Sequence, residues 1–413
     1  MTETKPTAHK VPKLRFPEFW EAGEWGESKL EKVTVFIKER VPLKQLTLAN
    51  YVSTENILPD FGGVTTASKL PPSGVATGFK KYDILISNIR PYLKKIWFSN
   101  KDGGASNDVI VIRSKSKIIN TYLAFLLKSD EFINYVMKGA KGVKMPRGDI
   151  SLMKEYPLAF PSLPEQQKIA DCLASLDELI TAQTLKIDTL KTHKKGLMQQ
   201  LFPAEGETVP KLRFPEFLEA VGWVIKELGR FITERNQYPK ENVPLFSLTI
   251  EDGITPKTKR YERSFLVDDE EDAYKLVLPD DFAYNPMNLR FGAIGRHSGT
   301  ENVAVSKYYN IFFCDKTVDS RFCEIYFKSD RMIAFYDNMA TGSLIEKRRV
   351  HFNAFLKFNI RCPLLPEQQK IADCLSSLDE LITAQTQKLA TLKTHKKGMM
   401  RQLFPQTPTE STP

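Results

Sequence analysis

The sequence predicts an α/β (α+β) protein in which two similar globular domains are separated by two long helices. Those helices pair as an antiparallel coiled coil, giving a pseudo-two-fold internal repeat. Three observations predict this. First, Leu163–Pro203 recurs as Leu365–Pro405 with only six differences: Ala174/Ser376, Leu185/Gln387, Ile187/Leu389, Asp188/Ala390, Leu197/Met399 and Gln199/Arg401. Second, apolar residues in both copies step alternately by four and three. Third, the segments between the copies alternate strand-like and helix-like runs and barely resemble each other. A frame repeated at so long a period is one structural unit used twice, here holding two different inserts.

Taken in order, residues 1–10 are polar and expected to be disordered, with no apolar core of the kind a signal peptide needs. The first domain spans 11–162. An echo, PKLRFPEF, opens it at Pro12 and opens the second domain at Pro210. Within it, Asp83–Ser87 and Asp108–Arg113 read as strands and Thr121–Lys138 as one helix. The first long helix covers 163–203. Pro164 falls in its first turn, where proline is tolerated, and Glu165 sits near the positive end of the dipole. Its seam is Ile169, Leu173, Leu176, Ile180, Gln183, Ile187 and Leu190, continuing through Lys194, Leu197 and Leu201. This is heptad a/d spacing.

A linker, 204–209, leads to the second domain, 210–364. There Asn302–Ser306 and Tyr309–Cys314 read as strands, and Asp319–Asn338 as mostly helix. The second long helix covers 365–405, with Pro366 and Glu367 at its start. Its seam is Ile371, Leu375, Leu378, Ile382, Gln385, Leu389 and Leu392, then Lys396, Met399 and Leu403. Antiparallel pairing brings the mid-helix Gln183 and Gln385 together. The alternative is that each helix packs only on its own domain. The tail 406–413 is polar and expected to be disordered.

Composition narrows the class. The 413 residues carry a net charge of +9 and are 42% hydrophobic, with no apolar run long enough for a membrane span. The five cysteines, Cys172, Cys314, Cys323, Cys362 and Cys374, form no CxxC or Cys/His ligand spacing. A reducing, cytoplasmic setting fits them. A basic balance permits a polyanionic partner without requiring one. No phosphate-binding GxxxxGK[ST] is present. Asn285-Pro-Met-Asn288 lacks the second proline and the aromatic of an amino-methyltransferase motif, and Pro279-Asp280 lacks the downstream partner of a nuclease centre. No catalytic residue and no metal ligand is assigned.

The doubled LPEQQKIADCL…LDELI helix, Tyr51-Val-Ser-Thr-Glu-Asn56, Asp83-Ile-Leu-Ile-Ser-Asn-Ile-Arg-Pro91 and Tyr284-Asn-Pro-Met-Asn-Leu-Arg-Phe-Gly292 together resemble the specificity subunit of a type I restriction-modification enzyme. The resemblance covers nearly the whole chain. It implies a non-catalytic subunit with two target-recognition domains, each reading one half of a split, asymmetric site on double-stranded DNA. It implies that the paired helices set the gap and dock two modification (methyltransferase) subunits, with restriction subunits joining the full complex. S-adenosylmethionine, and ATP and Mg for restriction, would then be held by those partners and no cofactor by this chain. The rival reading is a coiled-coil scaffold presenting two protein-binding modules with no DNA involved.

Base readout needs forked donors and amides, and phosphate contact needs cations and hydroxyls. The first domain offers Asn88, Arg90, Lys94 and Lys95 after a strand, Ser106 and Asn107 in a turn, and Lys138, Lys141, Lys144 and Arg147 in a glycine-broken loop. The second offers Arg290, Arg296, His297 and Ser298 in what reads as the corresponding turn. Thr341, Ser343, Lys347, Arg348 and Arg349 then follow the later helix. Tyr92 and Tyr284 read as packing residues. The lysine clusters around Lys194 and Lys396 suit the negative end of each helix dipole, or equally a phosphate or protein partner.

Overall fold

The computed structural model describes residues 11–240, 243–257, 273–344 and 347–405. The two tails expected to be disordered, 1–10 and 406–413, lie outside the described residues. The chain divides into two compact units. One contains Met1–Leu185 and Gln387–Pro413, the other Lys186–Thr386. Each long helix therefore contributes to both units, a division that differs from one drawn at the helix ends.

The first unit is built on a four-stranded antiparallel sheet of β1 (Thr34–Phe36), β2 (Ile84–Ser87), β3 (Ile96–Phe98) and β4 (Val109–Ser114), in the order β1-β4-β2-β3. Alternation along the strands sends Ile84, Ile86, Ile110 and Ile112 to one face and Leu85, Val109 and Val111 to the other. The first face packs on helices α1 (Asn120–Leu127) and α2 (Asp130–Lys138). The second meets Val52, Ile57 and Phe79, which belong to or adjoin a smaller sheet. Because both faces are covered, the strands read as continuous apolar runs.

The second unit repeats the plan. Strands β5 (Ile232–Glu234), β6 (Phe282–Tyr284), β7 (Ile294–Arg296) and β8 (Asn310–Cys314) lie in the order β5-β8-β6-β7, with helices α3 (Ser320–Phe327) and α4 (Asp330–Met339) on one face. Its core is aromatic where the first is aliphatic. Phe282 stacks on Phe312 at 5.0 Å, and Phe327 and Phe355 close around them. One architecture filled by different side chains is what tolerant core packing allows.

The single helix expected over 121–138 is two helices, and the mostly helical stretch expected over 319–338 is likewise a pair. Both break at a Lys-Ser-Asp triplet. The Ser129 hydroxyl accepts from Phe132 N at 3.2 Å, and Ser329 from Met332 N at 3.3 Å, so each serine caps a new helix.

Each long helix runs 39 residues, Leu163–Leu201 and Leu365–Leu403. Its start is clasped. Arg15 donates from Nε and Nη2 to the two carboxylate oxygens of Glu165, both at 2.8 Å, and Trp25 Nε1 donates to the same carboxylate at 3.3 Å. Arg213, Glu367 and Trp223 repeat this at 2.8, 2.7 and 3.4 Å. The next residue serves as well. Gln166 accepts from Ile119 N and donates to Pro161 O, while Gln368 accepts from Asp319 N and donates to Pro363 O. The PKLRF echo and the LPEQQ repeat are thus two halves of one fastening, and Glu165 and Glu367 do more than face a dipole.

Beyond the clasp the helices pack antiparallel inside each unit. In the first, late Lys396 of the second helix reaches early Asp177 of the first at 2.6 Å. In the second, Lys194 reaches Asp379 at 2.5 Å. Ile169, Leu173, Ile187, Ile371 and Leu375 are buried on the seam. The two seam lysines each end on an aspartate of the opposite helix. Among the described residues no helix is long and apolar enough to cross a membrane.

Two outcomes follow from these contacts. Arg213→Ala leaves the Glu367 carboxylate buried without its cation, and loss of a buried partner costs about 3–5 kcal/mol. A urea midpoint shift equivalent to less than about 1 kcal/mol contradicts the clasp. Burial, with Lys396 nearby, pushes the Lys128 ammonium down to about 8 from 10.5, against the pull of Asp177. Below about pH 8 the penalty for holding that charge is fully present. As pH rises toward 10 the unfolded chain binds the extra proton, and this group's contribution to stability rises. Lys128→Met is expected to stabilise the protein at pH 7, with the gain over wild type shrinking toward pH 10 in paired denaturation curves.

Candidate nucleic-acid interface

In the first unit, four loops distant in sequence are stitched into one surface at the end of β2. The stretch after β2 passes through Asn88 and Arg90 into a 3-10 turn, Pro91–Leu93, and out through Lys94. Arg90 and Lys94 bracket that turn with φ of 52° and 54°, a left-handed conformation that costs non-glycine residues about 1–2 kcal/mol each. The backbone is held there from outside. Arg90 N donates to Pro146 O at 2.7 Å, Gly148 N to Asn88 O at 3.1 Å, Asn88 N to Asp108 O at 2.8 Å, and Phe61 N to Lys94 O at 3.0 Å. Asn88 Oδ1 and Arg90 Nε are buried at this junction with no hydrogen-bond partner. Unsatisfied atoms of this kind are rare in folded proteins and concentrate where a site is strained or functional.

Beside the turn stands a hairpin. Lys141 and Arg147 exchange both backbone hydrogen bonds at 2.9 Å, and Gly142 takes a φ of 101° that the turn needs. Lys138, Lys141, Lys144 and Arg147 are exposed around it. Arg147 lies 3.2 Å from Asp108, and Lys141 lies 3.6 Å from Asp149. The second unit has the same device. Thr341 and Arg349 close a hairpin at 3.0 and 2.9 Å, with Thr341, Ser343, Lys347 and Arg349 exposed.

Several predicted residues are engaged by neighbouring parts of the same unit. Lys94 Nζ donates to Asp130 at 2.7 Å, and Lys95 Nζ to Thr54 O at 2.7 Å. The Ser106 backbone N–H ties the turn to Val52 O, and Asn107 Oδ1 accepts from Arg40 at 2.8 Å. Arg348 donates to Asp337 O and Ala340 O, so it tethers the end of α4 rather than standing free. Arg290 lies over Phe291 at 4.3 Å and bonds Asp337 at 3.1 Å.

The grouping of Arg296, His297 and Ser298 with Arg290 is corrected. Arg290 sits in the 3-10 turn Leu289–Phe291, which joins β6 to β7, whereas Arg296 pairs with Phe282 at the opposite end of that hairpin. Arg296 is held by Asp280 at 2.6 Å and Glu324 at 3.1 Å. His297 is only 3% exposed, with its Nε2 2.7 Å from Glu301 O. Nearby, burial raises the Asp281 carboxyl above its ordinary range despite Arg235 at 2.5 Å. Satisfied acids and burial thus make Arg296 and His297 parts of the fold, and Ser298 alone of the three is exposed. Tyr284 is a packing residue, buried with its hydroxyl donating to Val350 O, but Tyr92 is 48% exposed at the tip of its turn.

Sequence reasoning missed Asp130. Its carboxylate meets Lys94 at 2.7 Å and both Lys397 and Arg401 of the second long helix at 3.4 Å. Lys94, then Lys397, holds it below the usual carboxylate range. Lys-Ser-Asp at 128–130, repeated at 328–330, was the available signal. In the second unit Asp330 meets Lys195 at 3.2 Å in a far more exposed setting. Among the described residues no group of three or more His, Cys, Asp or Glu side chains is placed to hold a metal ion. The arrangement offers two surfaces of exposed cations, hydroxyls and amides on backbones fixed by hydrogen bonds, the chemistry of phosphate and base-edge contact.

Comparison with known proteins agrees. The chain is similar to the type I restriction enzyme MjaVIII specificity subunit of Methanocaldococcus jannaschii, 23% identical over 95% of this chain and 93% of that one. It is 28% identical to the putative MjaX specificity subunit of the same organism, over 72% and 70% of the two chains. Its fold resembles the crystal structure of the type I restriction-modification S subunit from M. genitalium, with a TM-score of 0.61 at 14% identity, covering 96% of this chain and all of that one. A model of the type I restriction modification DNA specificity domain matches residues 23–192 and 301–394, more than half of the sequence. The chain belongs to the type I restriction modification DNA specificity domain family.

Proposed function

We propose that this protein is the non-catalytic recognition subunit of a type I restriction-modification complex. It reads an asymmetric bipartite site on double-stranded DNA, one half with each unit. The helices fix the gap and dock two methyltransferase subunits, and restriction subunits complete the assembly in the cytoplasm. S-adenosylmethionine, ATP and Mg belong to those partners. The observation that carries this reading is the duplicated clasp-and-helix frame, which holds one fold twice while its exposed loops differ. Lys144 and Arg147 edge one hairpin, and Ser343, Lys347 and Arg349 edge the other. Two unlike readers on one scaffold support a split, asymmetric target.

The test is to co-express the chain with its modification subunit and map methylated bases across the host genome. A gapped motif with one methylated base in each half is expected, and a continuous motif overturns the proposal. A four-residue insertion in either long helix, about one turn, is expected to change the gap and leave both half-sequences intact. An unchanged gap in the same map sinks the ruler. Replacing Lys144 and Arg147 together with alanine should weaken binding across all sequences of the first half and lower the salt slope by about 1–2. Titrating affinity against salt checks this, and an unaltered slope removes the hairpin from the phosphate contacts.

A further inference from the structure

We infer that the tip of the hairpin Lys141–Arg147 reads a thymine methyl group in the first half of the DNA site, through Val143 with Met145 beside it. The inference rests on the DNA-reading function proposed above and deepens it.

The Val143 side chain is wholly exposed, at 103% of its reference area, and Met145 is 52% exposed. A lone exposed apolar residue is ordinary. This pair is different because of where it is held. The hairpin beneath it is closed by two backbone hydrogen bonds, and Gly142 fixes the turn. The same segment is fastened to the neighbouring turn through Pro146 O and Gly148 N. That turn presents Tyr92, itself half exposed. Lys141, Lys144 and Arg147 alternate with the apolar residues along the chain. An aliphatic tip is thus presented on a hydrogen-bonded hairpin and flanked in sequence by cations, of which Lys141 and Arg147 also meet Asp149 and Asp108, a setting that suits a polyanion better than an apolar protein surface.

On duplex DNA an aliphatic group has few things to read. Major-groove edges carry donors and acceptors, and the one methyl group among them is the C5 methyl of thymine, while the minor-groove edges carry no methyl. The second unit offers a contrast at the same place. Ser343 and then Leu344 follow Gly342 in the sequence, where Val143 and then Lys144 follow Gly142, and the second segment is two residues longer between its paired ends.

The experiment uses the full chain assembled with its modification subunit and the duplex defined by the methylation map. Each thymine of the first half, on either strand, is replaced in turn by deoxyuridine, which removes only the methyl group. At one position we expect binding to weaken about fourfold, the worth of one buried methyl. Val143→Ala should weaken binding to the thymine duplex by a similar factor and erase the thymine–uracil difference there. Replacements in the second half should be unaffected by Val143→Ala. The inference is overturned if every first-half replacement is silent, or if the half contains no A·T pair. It is also overturned if Val143→Ala costs the same on thymine and uracil DNA, the signature of a wedge between bases, or if it instead releases the modification subunit. In each of those cases the proposed function stands. Failure of the assembled complex to bind any gapped duplex would remove that function, and this inference with it.

Discussion

The buried Arg–Glu–Trp clasp is the interaction on which the rest of this structure depends. It joins the opening of each globular domain to the first turn of the helix that leaves it, across 150 residues in one unit and 154 in the other. Burying an ion pair is not in itself stabilising, because desolvation offsets much of the attraction. What the pair supplies is geometry. A bidentate guanidinium–carboxylate contact has one good orientation, and the tryptophan donor and the following glutamine leave the helix little freedom of direction. The proposed ruler needs its rod fixed to each globular domain, and a clasp of this kind fixes it.

With the frame secured, the inserts are free to differ. The same four-stranded order and the same broken helix pair are filled by isoleucine and leucine in one unit and by a stack of phenylalanines in the other. The surface follows suit, with an arginine over a phenylalanine in one 3-10 turn and an exposed tyrosine in the equivalent turn. In the first unit Asp60, Phe61, Tyr82, Arg90 and Lys94 all take left-handed backbone, and the turn between Arg90 and Lys94 is bonded to the loop at Asp60 and Phe61 and to the hairpin at Pro146. Such strain persists only where the surroundings over-determine it.

Periodicity made the long helices legible in the sequence, because a seam of alternating steps has few other solutions. The strands were legible for a similar reason, since apolar runs bounded by turn residues define them. What stayed hidden depended on partners far along the chain. Nothing local tells that Glu165 meets Arg15, or that Lys94 and Lys95 turn inward while Lys144 does not. Arg296 and Arg290 look alike as neighbours in a basic stretch, but a hairpin of two short strands sets them at opposite ends. The helix breaks could have been read, because Ser-Asp in mid-helix is a start signal that the strong apolar pattern around it masked.

One of the six differences between the repeats has a role. Arg401, on the second helix, reaches Asp130, which also binds Lys94 from the 3-10 turn after β2. The matching residues in the other unit are Gln199 and Gly292, and there Asp330 is left mainly to Lys195. The two seats on the scaffold are therefore not equivalent. An insert carrying Lys94 and Asp130 is matched to the seat that carries Arg401, and transplanting it to the other would cost it one of its three cations. Exchange of inserts between the two positions, which the duplicated frame otherwise invites, carries a built-in preference for one order over the other.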